Sequence, residues 1–152
     1  MQCNAVYILV LAVAACSAAI CASAQQGSQR KEVCLSNIKQ IGVGVLMYVF
    51  DHDDKFALKS ACFKKSILPY IKDSSVFHCS SDDSGIVSYS FNVRLAGMKP
   101  ERLRSPARIV MVYEGKDGML DFKHDGKAAV CYADDHAKMI SEAEAKALRW
   151  VP

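Results

Sequence analysis

Histidine and aspartate residues cluster near the C-terminus of this 152-residue chain, in a pattern that could hold a metal ion. His124, Asp134 and His136 offer imidazole nitrogen and carboxylate oxygen, which suit zinc and similar ions. A hairpin that carries these residues at its strand ends would bring them together. The same residues also have a structural interpretation, in which a histidine–aspartate hydrogen bond or an aspartate that caps the backbone fixes two turns.

Two further groups of aspartates could supply the hard oxygen ligands that calcium prefers. Asp51, Asp53 and Asp54 follow an apolar segment, and Asp82 and Asp83 lie in a serine-rich stretch. Runs of this kind are more often solvated turns. The sequence therefore predicts no resident cofactor, with zinc or calcium as the alternative.

Several classes of function have no support in the sequence. It contains no G-x-S-x-G, H-E-x-x-H or P-loop pattern. Cys131 would act as a nucleophile only with an activating base within reach. The net charge of +3 is small, and no dense stripe of lysine and arginine favours nucleic-acid binding. We therefore expect a protein that is not an enzyme and has no catalytic residue.

The first 24 residues carry no Lys, Arg, Asp or Glu and are almost entirely apolar. Such a segment is typical of a signal peptide, and Ala22 and Ala24 fit the small-x-small site of signal peptidase. The alternatives are a lipidated Cys16, which follows the lipobox-like residues 13–15, and an uncleaved membrane anchor of about 20 residues. Each of the three places residues 25–152, as one domain, outside the cytoplasm: periplasmic, secreted or membrane-tethered.

Of the seven cysteines, Cys34, Cys62, Cys79 and Cys131 follow the apolar segment. An even number of cysteines in an exported chain predicts disulfide bonds. Sequence alone does not choose among the possible pairings. The alternative is one bridge with two buried free thiols.

A long helix must position these residues. Over residues 30–51 the spacing of the apolar residues predicts one helical face that carries Cys34, Ile38, Ile41, Val45 and Tyr48. Residues 43–50 are apolar on nearly all sides, so we expect a sheet or a partner to cover them. Gly42 and Gly44 each cost about 1 kcal/mol relative to alanine in a helix, which close backbone packing could offset.

Strands dominate the rest of the chain, so the predicted fold class is α+β. The capping-box residues Ser141 and Glu144 predict the start of a last helix. The remaining predicted elements are a short helix at 61–71, strands at 76–79, 86–93, 107–114, 119–123, 128–133 and 136–140, and the last helix to about residue 150.

His124 and Asp134 have nine residues between them. This spacing resembles the segment that names the pilin-like H-X9-DG family of bacterial proteins, and further segments add to the resemblance. Residues 34–42 (CLSNIKQIG) resemble its C-x-S-N-L-K-Q-I-G segment. Weaker similarities lie at 47–54 (MYVFDHDD), 68–72 (LPYIK), 76–82 (VFHCSSD) and 88–92 (SYSFN), in the family's order.

The resemblance implies a type IV pilin-like or pseudopilin-like fold, with a long N-terminal helix packed on an antiparallel sheet and a short C-terminal helix. It implies an exported structural or interaction protein of the envelope, or of secretion or filament machinery such as type II secretion. Envelope or secretion-system proteins, or further copies of the chain, would be its partners. A small secreted metal-binding module or enzyme centred on His124, Asp134 and His136 is the alternative.

Disulfide pairing and two departures also follow from the resemblance. Cys34 and Cys79 lie in family-like segments and are the preferred pair, which leaves Cys62 and Cys131 as the second. The chain lacks the usual G-F-T-L-I-E-L-L segment that prepilin peptidase processes. Asp135 stands where the family has glycine, so we expect strain there or a different turn.

Overall fold

A computed structural model describes the backbone of residues 3–82 and 87–151, with side chains from residue 25 onward. Helix α1 (Cys3–Phe50) precedes an antiparallel sheet. The sheet order is β1 (Tyr89–Phe91), β2 (Val110–Lys116), β4 (Lys127–Tyr132) and β5 (Ala137–Ser141), with β3 (Met119–Leu120) paired to β2. Short helices α2 (Phe63–Ile67) and α3 (Glu142–Ala145) complete the α+β fold. The predicted processing and lipidation residues Cys16, Ala22 and Ala24 lie outside the residues whose side chains are described.

The predicted face of α1 forms the centre of the core. Cys34, Ile38, Ile41 and Val45 are fully buried, and Tyr48 is nearly so. They pack with apolar side chains of β2 and β4. Burial of such side chains contributes about 1.5–3 kcal/mol each, so this face is sufficient to fix α1 on the sheet.

By length and composition, the segment Gln25–Phe50 of α1 is apolar enough to cross a membrane. However, within the 18-residue stretch of this segment that meets the test, 44% is buried inside the protein. A core helix and a signal sequence have the same length and composition, so this helix alone does not decide between them.

Strand β4 separates two apolar clusters. Ala129 and Cys131 pack in the cluster that contains α1, whereas Val130 and Tyr132 pack on the other side with Trp150. Successive side chains of a strand point to opposite faces, which accounts for the alternation. A glycine or polar substitution at any of these positions would therefore weaken the packing of only one of the two clusters.

The prediction of a strand at 76–79 is wrong. Residues Ser74–Phe77 form a 3-10 turn instead, because the Asp73 carboxylate accepts a hydrogen bond from the Ser75 backbone N–H at 2.8 Å. A local side-chain bond of this kind favours a turn over a strand. Cys79, two residues after this turn, lies in the core.

Both predicted short helices are shorter than expected. The one at 61–71 is broken into 3-10 turns on either side of α2, with Pro69 in the second of them. The capping box at Ser141 and Glu144 is confirmed, but α3 ends at Ala145. A parallel bridge between Ile109 and Arg149 then holds the C-terminal segment in extended form.

The strand predictions are confirmed in part. Strands β1 and β3 are shorter than the predictions at 86–93 and 119–123, and β2 is shifted from 107–114. Strands β4 and β5 each differ by one residue from the predictions at 128–133 and 136–140. A four-residue connection, 133–136, joins β4 to β5, rather than the predicted two-residue turn.

Gly42 allows α1 to approach the β4–β5 hairpin. A Cβ atom at this position would lie 2.5 Å from Cys131 Sγ and 2.7 Å from Asp135 Oδ1. Such distances are far inside normal van der Waals contact. The expected close packing at this glycine is therefore present, against side chains rather than backbone.

We expect Gly42→Ala to lower the free energy of unfolding by about 1–3 kcal/mol, because a methyl group overpacks this contact. Denaturant unfolding measures the change. Gly27→Ala on the same helix is the matched control, since its Cβ would have only one neighbour, at 3.8 Å. Equal effects of the two substitutions would contradict the close approach.

Asp135 has a left-handed backbone, with φ of 70°. The expected strain is therefore present, although the turn also differs from the prediction. We expect Asp135→Gly to raise the free energy of unfolding by about 0.5–1 kcal/mol, because glycine adopts this conformation without steric cost. Asp121→Gly is the control, since Asp121 does not have positive φ. An unchanged or lower melting temperature for Asp135→Gly would contradict this account.

Asp135 also predicts a pH dependence. Burial raises the pKa of its carboxyl group, so the folded chain disfavours the ionised form. Stability from this residue is full below the usual aspartate pKa and is lost as the pH rises through the raised value. Asp135→Asn should remove that decline, which thermal unfolding from pH 3 to pH 7 would show as a flatter curve. The same slope in both proteins would contradict it.

Candidate metal centre

Four buried side chains from distant parts of the chain meet between α1 and the sheet. Cys34, Cys79, Glu114 and His124 each present one potential ligand atom, and these four atoms lie within 4.8 Å of one another. Among the described residues no other group of three or more such side chains has this geometry. We call this group the Cys–His–Glu cluster.

Each member is placed by a different element. Cys34 lies on the buried face of α1, and Glu114 lies in β2. Cys79 follows the Ser74–Phe77 turn, and its backbone N–H donates to Ser88 Oγ at 3.0 Å. The cluster therefore forms only when helix, turn and sheet are assembled.

His124 begins a tight turn that leads into β4. Its backbone N–H and carbonyl pair with those of Lys127, both at 3.1 Å. Asp125 and Gly126 between them have φ of 50° and 73°. A turn with two left-handed residues is typical of a two-residue hairpin, as the HDG sequence predicts. It points the imidazole into the core, where His124 is 3% exposed.

One imidazole nitrogen is the centre of the cluster. His124 Nε2 lies 3.0 Å from Glu114 Oε1 and 3.3 Å from Cys79 Sγ. Cys79 Sγ lies 2.9 Å from Cys34 Sγ. The second carboxylate oxygen of Glu114 accepts a hydrogen bond from the Ala129 backbone N–H at 3.0 Å.

The cluster shifts the pKa values of its members. The hydrogen bond between the two thiols lowers the pKa of Cys34 and raises that of Cys79, so the proton stays on Cys79. Burial opposes a charged imidazole, but the interactions with Cys34 and Glu114 outweigh it and raise the pKa of His124 to about 9. The cluster thus favours a thiolate at Cys34 beside a charged imidazole in a buried region.

The geometry is not that of a nucleophile, base and acid relay. Such a relay uses both imidazole nitrogens, one for the nucleophile and the other for the acid. Here Cys79 and Glu114 both contact Nε2 of His124. Both cysteine side chains are also fully buried, so a substrate cannot reach them. A set of donors around one point is instead the geometry of an ion site.

The predicted metal set of His124, Asp134 and His136 is not assembled. His124 lies in the Cys–His–Glu cluster, which contains neither of the other two. Asp134 and His136 bond to each other in the β4–β5 connection, and His136 stacks on Tyr132 with ring centroids 4.2 Å apart. This bond fixes one turn, whereas the structural interpretation expected a bond or a capping aspartate that fixes two turns, because both residues lie in one short loop.

The aspartates considered for calcium do not form a ligand cluster among the described residues. Asp51, Asp53 and Asp54 are exposed in the turn after α1, Asp82 is buried in a salt bridge with Lys123, and Asp83 lies outside the described residues.

The structure brings together one of the two predicted cysteine pairs. Cys34 and Cys79 are adjacent free thiols, whereas Cys62 is exposed and Cys131 is buried beside Gly42. The predicted bond between Cys62 and Cys131 is not formed in this structure, where Cys62 is an exposed free thiol and Cys131 a buried one. Burial, followed by the charge of Asp135, raises the pKa of Cys131 to about 12, opposite to what a nucleophile needs.

Sequence reasoning missed Glu114 as a site residue. Its signal was a single carboxylate in the apolar run ARIVMVYE, which forms a buried strand. A charged side chain in such a strand needs a partner or a metal ion. His124 was recognised, but its partners were sought among neighbours in the sequence.

No protein-family model, curated protein or solved structure matches the chain.

Proposed function

We propose that this chain is an exported, non-enzymatic, pilin-like module of the bacterial cell envelope that acts through contacts of helix α1. The observation that carries the proposal is the exposed apolar side of α1. Its buried side packs on the sheet, yet 48% of Met47 and 78% of Phe50 are open to solvent. A small domain rarely exposes large apolar side chains in one stripe without a binding role.

The exposed side chains follow helical spacing. Val43, Met47 and Phe50 are three or four residues apart and so share one side of α1. Together with Tyr70 they line a shallow groove. This stripe is the part of residues 43–50 that the sheet leaves uncovered, which supports the expectation of a partner.

The N-terminal segment supports export. It forms the first part of α1, has no charged residue before Arg30 and carries residues that fit a cleavage or lipidation site. Signal peptide, lipoprotein and membrane anchor all deliver the domain to the envelope or beyond. The pilin-like resemblance also implies export. The fold that it implies, a long helix packed on an antiparallel sheet, agrees with the observed architecture.

Photo-crosslinking in the native host tests the proposal. A photoreactive phenylalanine analogue at position 47 or 50 should give a crosslinked species of defined mass in the envelope fraction. The same analogue at the exposed Lys65, away from the stripe, is the matched control. The added variant Val43→Ser should weaken the crosslink without lowering thermal stability. Equal crosslinking from position 65, or none from 47 and 50, would contradict the proposal.

The alternative of a metal-binding module centred on His124, Asp134 and His136 loses its basis, because those residues are not brought together. A different group of ligands does meet at His124, and it does not depend on the proposed envelope function.

A further inference from the structure

We propose that the reduced chain binds one zinc-class divalent metal ion at Cys34, Cys79, His124 and Glu114, as a closed structural site. The four ligand atoms already lie within 4.8 Å of one another. They come from α1, the segment after the Ser74–Phe77 turn, the turn before β4, and β2. A bound ion would therefore join the helix to the sheet.

The donor set selects the class of metal. Two sulfur atoms, one imidazole nitrogen and one carboxylate oxygen are ligands that zinc accepts in tetrahedral sites. Calcium and magnesium prefer all-oxygen sites with more ligands, which this cluster does not offer. Thiolate ligands favour the softer divalent ions. Four protein ligands leave no open position, so the site would be structural rather than catalytic.

Three of the six separations between ligand atoms are shorter than the edges of a zinc tetrahedron, and the other three are at most 4.8 Å. Bond lengths of about 2.3 Å to sulfur and about 2.0–2.1 Å to nitrogen or oxygen give tetrahedral edges of about 3.3–3.8 Å. The corresponding distances are 2.9 Å between the sulfurs, 3.3 Å from Cys79 Sγ to His124 Nε2 and 3.0 Å from there to Glu114 Oε1. Shifts of less than about 1 Å at side-chain ends would open the cluster around an ion.

Neighbouring groups orient the ligands as in known metal sites. His124 Nδ1 lies 3.5 Å from Ser81 Oγ, which can hold a proton on Nδ1 when a metal ion displaces the Nε2 proton of the charged imidazole. The Ser81 backbone N–H donates to Cys79 Sγ at 3.3 Å, and the Ala129 N–H holds the second oxygen of Glu114. Such outer partners fix the orientation of metal ligands and the tautomer of histidine.

A disulfide between the same two cysteines would exclude the metal. In that reaction two thiols lose two protons and two electrons to a small disulfide oxidant, which becomes two thiols. The new sulfur–sulfur bond leaves no thiolate for a metal. The site therefore belongs to the reduced chain alone.

Cobalt(II) is the probe for the first test. The full-length chain, in detergent and without oxygen, is reduced with a phosphine and titrated with Co²⁺. We expect one ion per chain, a thiolate-to-cobalt charge-transfer band and the strong visible bands of tetrahedral cobalt, all displaced by one equivalent of Zn²⁺. Thiols that titrate as free yet bind no stoichiometric cobalt would overturn the proposal, as would a bond that the phosphine cannot reduce in the folded chain.

Variants identify the ligands. Cys34→Ser and Cys79→Ser should each abolish the charge-transfer band of one thiolate and weaken binding by more than 100-fold. Ser81→Ala, behind His124, should weaken it by about 10-fold. Cys62→Ser and His136→Gln are matched controls from outside the cluster and should bind as the unaltered chain does.

A measurement on the unaltered chain does not depend on how the variants fold. X-ray absorption of the zinc-loaded protein should show two sulfur neighbours at about 2.3 Å and two nitrogen or oxygen neighbours at about 2.0 Å. A zinc environment without sulfur would overturn the proposal, and so would a charge-transfer band that keeps its full intensity in both cysteine variants.

Discussion

Replacing His124 with alanine is expected to lower the free energy of unfolding of the metal-free chain by about 3–5 kcal/mol. Glu114 is 1% exposed and lies 3.0 Å from His124 Nε2. Removal of the imidazole leaves a buried carboxylate that keeps the Ala129 N–H as a donor but has lost its charged partner. An uncompensated buried charge is among the most costly defects in a core, and chemical denaturation would measure it.

Two further variants separate this effect from simple loss of volume. His136→Ala removes an exposed histidine that pairs with Asp134, so we expect a change within about 0.5 kcal/mol. The double variant Glu114→Leu with His124→Leu should recover most of the lost stability, because it removes the charge as well as its partner. An effect of His124→Ala no larger than that of His136→Ala would contradict the buried pair.

Oxidation of Cys34 and Cys79 to a disulfide is expected to raise the free energy of unfolding by about 3–4 kcal/mol over the reduced, metal-free chain. The two residues are 45 positions apart and their sulfur atoms lie at 2.9 Å. A bond that closes a loop of this length restricts the unfolded chain strongly, while the folded chain needs little movement to form it. Denaturant unfolding with and without a phosphine reductant measures the difference.

The cysteine variants give this comparison its controls. Cys62→Ser should preserve the full difference between oxidised and reduced protein, because Cys62 is exposed and apart from the cluster. Cys34→Ser should abolish it. If reduction leaves the melting temperature of the unaltered chain unchanged, the cysteines do not form this bond.

Local patterns in the sequence predicted the parts of the fold that local forces determine. The spacing of Cys34, Ile38 and Ile41 predicted the buried face of α1, and the Ser141 capping box predicted the start of α3. The end of α3 was not predictable in the same way. It depends on the bridge between Ile109 and Arg149, which joins residues far apart in the sequence.

The candidate site shows the same division. The sequence predicts His124 as a possible ligand. Its true neighbours Cys34 and Glu114 come from α1 and β2, and only the assembled fold places them around one nitrogen. Asp134 and His136 were chosen for their position in the hairpin, but the four-residue connection lets them bond to each other instead.

The proposed metal site and the proposed interaction surface lie on opposite sides of helix α1, one buried and one exposed. The Cys–His–Glu cluster is buried between α1 and the sheet, whereas Met47 and Phe50 lie on the open side of the same helix. A substitution on one side should leave the other intact, since such distant sites usually act independently. Helix α1 would thus carry both a stabilising site and a binding surface.

The most direct test of the proposed function is the intact mass of the chain, recovered separately from the envelope, medium and cytosol of its host. We predict that the chain is recovered from the envelope or the medium. Its mass should correspond to a chain whose first residue is Gln25, a lipidated Cys16 or an uncleaved Met1. Full-length chain confined to the cytosol, with every cysteine reduced, would contradict the account of an exported module.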